Sequence, residues 1–413
     1  MPIDVRAIRD DEIVPWLDAM STGFLDRPDV AKIAEEVRPH WDLSRNLAAF
    51  EAGRIVGTFR SWATELTVPG LAQVKASAVT GVGVLPTHRR RGILSAMAAA
   101  EHDAARARGE LVAILYAAEY GIYGRFGYGP GLTTATWTLD ARTTGFHPIR
   151  GDAGTLELIE PDTAGEATAR TVFEESRRRR PGEVWRRPIT WLADFGRGGT
   201  GWGPAWKGFV VIHRDDAGSI DGFARYHVEE RWEQRLPRNV LLLDDLHALT
   251  DAAYAALWRF VGSMDWVATV KAERRSPTEP LPWLLTNARA AVPSDVGEGM
   301  WVKLLDLAAA LEARTYERTG SLVLEIVEHD GPKGERRTRL LLEASPDGAR
   351  AAATDRSPEL TVDASAIGAA YLGGSRLHDA VLAHGWDEHR PGALATADAL
   401  FATLDPPMAT TFF

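Results

Sequence analysis

The chain has 413 residues, too many for one ordinary core and enough for two to four domains of usual size. Apolar residues make up 45% and charged residues 25%, the values of a globular protein with ample surface to bury. A formal charge of -10 argues against nucleic acid as a partner and favours cationic small molecules, and the lack of cysteine excludes disulfides, thiol nucleophiles and zinc–thiolate sites.

The opening segment, MPIDVRAIRDDEI, has no apolar signal core, and no stretch reaches the roughly 18 apolar residues of a membrane span. The default expectation is a cytoplasmic protein with no membrane partner. From Leu47, LAAFEAGRIVGTFRSW reads as two short strands around a turn at Ala52 and Gly53. AVTGVGVL (78–85) is a further strand, followed by the loop Pro86-Thr87-His88-Arg89-Arg90-Arg91-Gly92. An Ala-rich helix opens at Leu94 and closes on Arg106, Arg108 and Gly109, since cations followed by glycine mark a helix C-terminus. His102 is expected on the solvent side of that helix. LVAILY (111–116) is then a buried strand, which completes a βαβ unit.

The basic loop is the sharpest local signal. A helix start offers free N–H groups and the positive end of a dipole, Gly92 permits close approach, and Arg89 and Arg90 add charge; together these make a pyrophosphate cradle. Further along, FVVIHRDDAGSIDGFARYHV (209–228) is a second hairpin, turning at Asp216, Ala217 and Gly218. NVLLLDDLHAL and DAAYAALWRFVGSMD then repeat the order strand, junction, helix, and Gly222 precedes Leu246 by nearly the distance that Gly57 precedes Val82. At the second junction, Ala248-Leu249-Thr250-Asp251, there is no arginine or glycine, so the repeat should bind no anion there. The run of arginines from Arg177 to Pro181 reads as a solvated helix end before a proline. From Met300-Trp301-Val302 a third unit is expected, with a helix over 307–314, strands over 322–327, 339–343 and 359–362, and helices around Ile367 and Ala395.

The loop resembles that of the GNAT acetyltransferases, with Arg89 first and Gly92 fourth in a six-residue pattern whose sixth place, Gly or Ala in the family, is Leu94 here. VLPTHRRRG is similar to the VAPTHRRRG of the Eis (enhanced intracellular survival) family. The block from Gly121 to Pro130 matches that family's GIYGRFGYGP without a mismatch. The resemblance implies a mixed α/β chain of tandem GNAT domains followed by a sterol-carrier-protein-like domain. The expected boundaries are a catalytic GNAT domain at 1–145, a degenerate second one at 146–298 and the third domain at 299–413. It further implies acetyl-CoA as co-substrate, no metal, direct transfer to the amines of aminoglycoside-like or polyamine acceptors, and a homo-hexamer.

By the same resemblance, Val82 and Val84 would offer backbone hydrogen bonds to the pantetheine arm. Arg89, Arg90 and Gly92, with Leu94 and Ser95 opening the helix, would hold the pyrophosphate. Tyr123 would protonate the leaving thiolate, which its pKa of ~10 permits because a thiol titrates at ~8.5. The base would be the terminal carboxylate of Phe413, with Glu119 the nearest carboxylate to Tyr123 in sequence. Phe24 and Asp26 fall on the acceptor side, where Asp26 either holds a cationic amine or caps a helix end. Two positions depart from the family: Phe412 stands where an acidic residue is frequent, and Ala118 where serine can stand. The 11 histidines show no metal-ligand spacing. A lipid- or polyketide-binding protein built on the third domain is the other reading.

Overall fold

Short apolar runs separated by turn residues build two seven-stranded sheets and one five-stranded sheet in this computed structural model, which describes residues 3–148, 154–198, 204–329, 334–384 and 387–413. The first sheet starts with β1 (Asp4–Ala7), β2 (Asn46–Glu51), β3 (Arg54–Thr67), β4 (Gln73–Val84) and β5 (Val112–Tyr116). All neighbours are antiparallel except β4 and β5, which helix α3 (Ile93–Ala107) joins in parallel as expected for a βαβ unit. Helices α1 (Ile13–Gly23) and α2 (Val30–Val37) precede β2, and α1 packs on β3 and β4.

Beyond β5 the sheet is completed by Met300–Leu304, antiparallel to β5, and by the two-residue strand Gly129–Pro130. The segment expected to open the third unit therefore extends the first sheet. Conversely, Thr133–Asp140 lies in the second sheet, between Val267–Arg275 and Ala291–Glu298. The reason is spatial. Only Gly299 separates Glu298 from Met300, and two residues separate Pro130 from Thr133, so the chain steps directly from one sheet to its neighbour. All five residues of Met300–Leu304 are buried, and such a strand carries no alternation that reports which sheet it joins.

The internal repeat has a packing signature. A Cβ on Gly57 would lie 2.9 Å from Met97 and 3.0 Å from Ile93, both on α3. A Cβ on Gly222 would lie 3.0 Å from Leu257 and 3.1 Å from Ala253, on the helix Asp251–Gly262. In both units a glycine lets the crossover helix seat closely on its sheet. In the third unit the apolar face formed by Leu322, Leu324, Ile326, Leu340 and Leu342 shares one core with Trp62, Leu66, Ala76 and Ile114 of the first sheet. With each such side chain contributing about 1.5–3 kcal/mol on burial, the third unit is firmly docked on the first.

Two expectations are corrected. His102 is only 6% exposed, with Nε2 2.9 Å from the Tyr128 hydroxyl. The segment after Met300 covers that end of α3, and Arg106 reaches across to the Leu305 carbonyl at 3.0 Å. Of the arginine run, only Arg178 and Arg179 are solvated. Arg177 is buried between Glu65 and Glu174 because its helix, Thr163–Arg177, ends against β3, where the Thr67 hydroxyl donates to the Arg177 carbonyl at 2.9 Å. Among the described residues no helix is long and apolar enough to cross a membrane.

Candidate active site

β4 and β5 pair only from Ala76 to Ala78, and beyond that the strands part. The register of β4 against β3 shifts between Thr58 and Arg60, where Gly81 takes φ 58° and the Thr58 hydroxyl donates to the Gly81 carbonyl at 2.9 Å. Past this bulge the end of β4, including Val82 and Val84, keeps β3 on one side, and on the side from which β5 has parted it has no strand partner among the described residues. Backbone groups on such an edge call for hydrogen-bonding partners, and an extended ligand supplies them.

The loop that follows makes a 3-10 turn over Pro86–His88, passes through Arg90 at φ 62° and Gly92 at φ 75°, and enters α3. Among the described residues no side chain caps α3, so the N–H groups of its first turn, which holds Leu94 and Ser95, are left without a capping partner. A Cβ on Gly92 would meet nothing within 4 Å, so the left-handed φ, rather than crowding, requires glycine there. The four basic side chains divide by partner. His88 and Arg91 both reach Glu51 on the β2 hairpin. Arg89 turns back toward the carbonyls of Val84 and Gly23, each at 3.4 Å, and Arg90 has no carboxylate partner among the described residues.

Tyr123 closes the short helix Tyr120–Tyr123, and its side chain packs on the same core as Val82, Val84 and Leu94. Its hydroxyl makes no hydrogen bond among the described residues. Burial, reinforced by the charge of Glu119, pushes its pKa up to about 12. Glu119 itself is exposed, at the start of that helix, as is Ala118. Phe24 and Asp26 occupy the exposed loop after α1, where Asp26 accepts the N–H of Arg27 at 2.7 Å. That loop adjoins the end of β4, since a Cβ on Gly23 would stand 3.6 Å from the Gly83 Cα.

The C-terminal tail is packed. Met408 to Thr411 are buried, and the Met408 N–H donates to the Pro181 carbonyl at 2.9 Å. Glu183 accepts from the Thr410 N–H at 2.8 Å, the Thr410 hydroxyl at 2.9 Å and the Thr411 N–H at 3.3 Å. Arg186 donates to both threonine hydroxyls at 2.9 Å, and His247 Nε2 lies 3.1 Å from that of Thr410. On the first sheet, the Tyr116 hydroxyl donates to the Thr411 carbonyl at 2.7 Å. The Phe413 ring packs edge-on against Trp62 and Tyr116, with centroids 5.0 and 5.1 Å away, while Phe412 is 59% exposed.

The holding residues have a common origin. Strands Asn239–Ala248 and Val267–Arg275 pair in parallel as far as Leu243 and Ala272 and then part, as β4 and β5 do. Asp245, His247 and Arg274 lie past that point, so in the second unit the parting of the strands receives the chain's own tail. Burial raises the Glu183 carboxyl, but Arg186, His247 and the bonds from the tail outweigh it and hold it below the usual carboxylate range. Tyr116, Glu183, Arg186 and His247 were not among the residues singled out from sequence. The one signal available was position, since polar residues at the carboxyl ends of parallel strands commonly line sites.

Comparison with known proteins decides the family. The N-acetyltransferase Eis of Mycobacterium tuberculosis is 34% identical over 366 residues, 87% of this chain and 85% of that one. The chain belongs to the Eis family of N-acetyltransferases. An N-acetyltransferase of Streptomyces griseus is 40% identical over 98% of both chains. The crystal structure of Eis1 from Mycobacterium abscessus superposes with a TM-score of 0.84 at 33% identity, covering 99% of this chain and 100% of that one. Acetyltransferase (GNAT) domain profiles match residues 4–131 and 178–304, and a sterol carrier protein domain profile matches 307–409. The tandem-GNAT and sterol-carrier-like organisation expected from the motifs is thus that of this Eis-family enzyme.

Proposed function

We propose that this N-acetyltransferase moves an acetyl group from acetyl-CoA to a small-molecule amine in its first GNAT domain, with the last residue of the chain taking part. Two neighbourhoods at the ends of β4 and β5 support the reading: Tyr123 packs on the same core as Val82 and Val84 of the open β4 edge and Leu94 of the helix start, and the packed chain terminus borders Tyr116. Acetyl-CoA supplies an acetyl group already activated as a thioester. Val82 and Val84 would pair with its pantetheine arm along β4, while Arg89, Arg90, Gly92 and the first-turn N–H groups of Leu94 and Ser95 would take the pyrophosphate.

The amine nitrogen then bonds to the acetyl carbon as the carbon–sulfur bond breaks. The thiolate takes its proton from Tyr123, and the proton lost by the amine passes to the Phe413 carboxylate. Phe24 and Asp26 border the acceptor side, and aminoglycoside-like amines and polyamines, the acceptors implied by the family resemblance, form the first panel to assay. The same resemblance implies a homo-hexamer, which sedimentation would check, while a cytoplasmic location is the default reading of the sequence. The lipid-binding reading draws no support from the third domain, whose apolar sheet face is filled by its own helices and by the first sheet.

Adding three residues after Phe413 tests the terminal base. Thiol release should fall on the order of 100-fold, the scale of a lost general base, while acetyl-CoA affinity by calorimetry stays unchanged. Phe413→Ala keeps the carboxylate and should do less damage. Native turnover in the extended enzyme would remove Phe413 from the mechanism and make Glu119, acting through water, the next base to test.

A further inference from the structure

Arg60 and Trp62 lie on one face of β3, opposite Ser61, whose hydroxyl reaches Glu101 of α3 at 2.6 Å. Arg60 stands beside the β4 bulge, since a Cβ on Gly81 would be 3.7 Å from its own Cβ and 3.0 Å from Trp16. Its guanidinium lies 4.3 Å from the Trp41 ring centroid and 5.5 Å from that of Trp62. The guanidinium of Arg187 lies 3.7 Å from the Trp62 centroid, and Trp62 carries the Phe413 ring at 5.0 Å. Two cations and two tryptophans therefore form a wall beside the chain terminus and the bulge where the acetyl group would be delivered.

Neither guanidinium makes a hydrogen bond or ion pair among the described residues, and both Nε atoms are buried without a partner. Four fully buried arginines show what these half-buried ones lack: Arg45 has Glu110, Arg177 has Glu65 and Glu174, Arg186 has Asp245, and Arg275 has Glu279. Burial pulls Arg187 down to about 10, and burial together with repulsion from Arg187 pulls Arg60 well below its ordinary value. The tryptophan faces stabilise positive charge but accept none of the five N–H donors that each guanidinium carries. An uncompensated pair of this kind is costly in a folded chain, and its planar forks fit a carboxylate or phosphate.

We propose that the acceptor of this site is an amine that also bears an oxyanion, carboxylate or phosphate, which Arg60 and Arg187 bind while the amine faces the acetyl group. The proposal rests on the N-acetyltransferase reading above and narrows its acceptor class: a polyamine with no anion would bring a second ammonium against two cations.

The test is thiol release from saturating acetyl-CoA with matched acceptors: amino acids against their carboxamides, and O-phosphoethanolamine against ethanolamine, with spermidine and kanamycin as anion-free polyamines. The anionic member of a pair should show kcat/KM at least tenfold above its neutral partner, and the pair that responds names the oxyanion. Arg60→Gln and Arg187→Gln should each raise KM for the anionic member tenfold or more, leave the neutral partner within twofold, and lower Tm little or not at all because a half-buried charge with no partner is removed. Arg187→Lys should fall between, having charge without the fork. Equal use of neutral and anionic partners, or turnover confined to spermidine and kanamycin, overturns the proposal and leaves the acetyltransferase reading standing. A fall in kcat for every acceptor alike overturns it too, and assigns the arginines to the Phe413 carboxylate. Release with no amine at all would instead sink the reading on which it rests.

Discussion

Burial makes Tyr123 a poor nucleophile and a durable acid. An unperturbed tyrosine titrates near ~10, but this hydroxyl is pushed up to about 12, first by desolvation and then by Glu119. A raised pKa keeps the proton on, so the pH–rate profile should rise as the acceptor amine deprotonates and show no falling limb near pH 10. A limb there would point to an acid other than Tyr123. Tyr123→Phe keeps the ring against Tyr128 and should lower kcat on the order of 100-fold with acetyl-CoA affinity retained. In the basic loop the sequence presents four cations as equals, and the structure separates them. Because Glu51 holds His88 and Arg91, Arg89→Glu and Arg90→Glu should each weaken acetyl-CoA binding by about tenfold or more, whereas Arg91→Ala should stay within about twofold. Calorimetric titration of the three variants checks this, and equal losses would return all the cations to the phosphate.

At the scale of elements, the tail from Met408 to Phe413 is a plug whose hydrogen bonds come from both GNAT units. Glu183 is its main acceptor, and hydrogen bonds to a charged group contribute about 1.5–3 kcal/mol each when well formed. Glu183→Gln keeps the shape, loses the charge, and should lower kcat while leaving the acetyl-CoA KM unchanged, because the loop proposed to hold the phosphates lies elsewhere. The pH dependence follows from the sign of the shift. A carboxyl held below its unfolded value stabilises the docked tail above that unfolded value, near ~4.3, and the stabilisation is lost as pH falls through the lower folded value. The tail should therefore resist carboxypeptidase at pH 5 in the wild type and be trimmed faster in Glu183→Gln. Equal trimming of both would show that Glu183 does not hold the tail.

Across the whole molecule, two units with one ancestry of shape have taken different contents. The first leaves its parted strands and helix start open. The second fills the gap between its strands with Thr410 and closes its helix start with Thr250, whose hydroxyl accepts the Ala253 N–H, next to the negative charge of Asp251. Calorimetry should accordingly give one acetyl-CoA per chain. A stoichiometry of two would mean that the tail leaves its cleft to admit a second cofactor, and turnover would then fall as the second site fills.

What the sequence determined by itself was everything whose cause is local. The hairpin turns at Ala52–Gly53 and Asp216–Gly218, the Ala-rich helix with its cationic end and Gly109, the loop into that helix through Gly92 and the GIYGRFGYGP block are each decided within a few residues by turn chemistry, helix capping or the missing Cβ of glycine. What only the tertiary structure decided are pairings between distant residues: the exchange of Thr133–Asp140 and Met300–Leu304 between sheets, the burial of His102, the unpartnered arginines around Trp62, and the clamp on the tail. Tyr116 and Thr411 are 295 positions apart. No local pattern encodes such a contact, because it exists only after two sheets and a third domain have closed around a shared core.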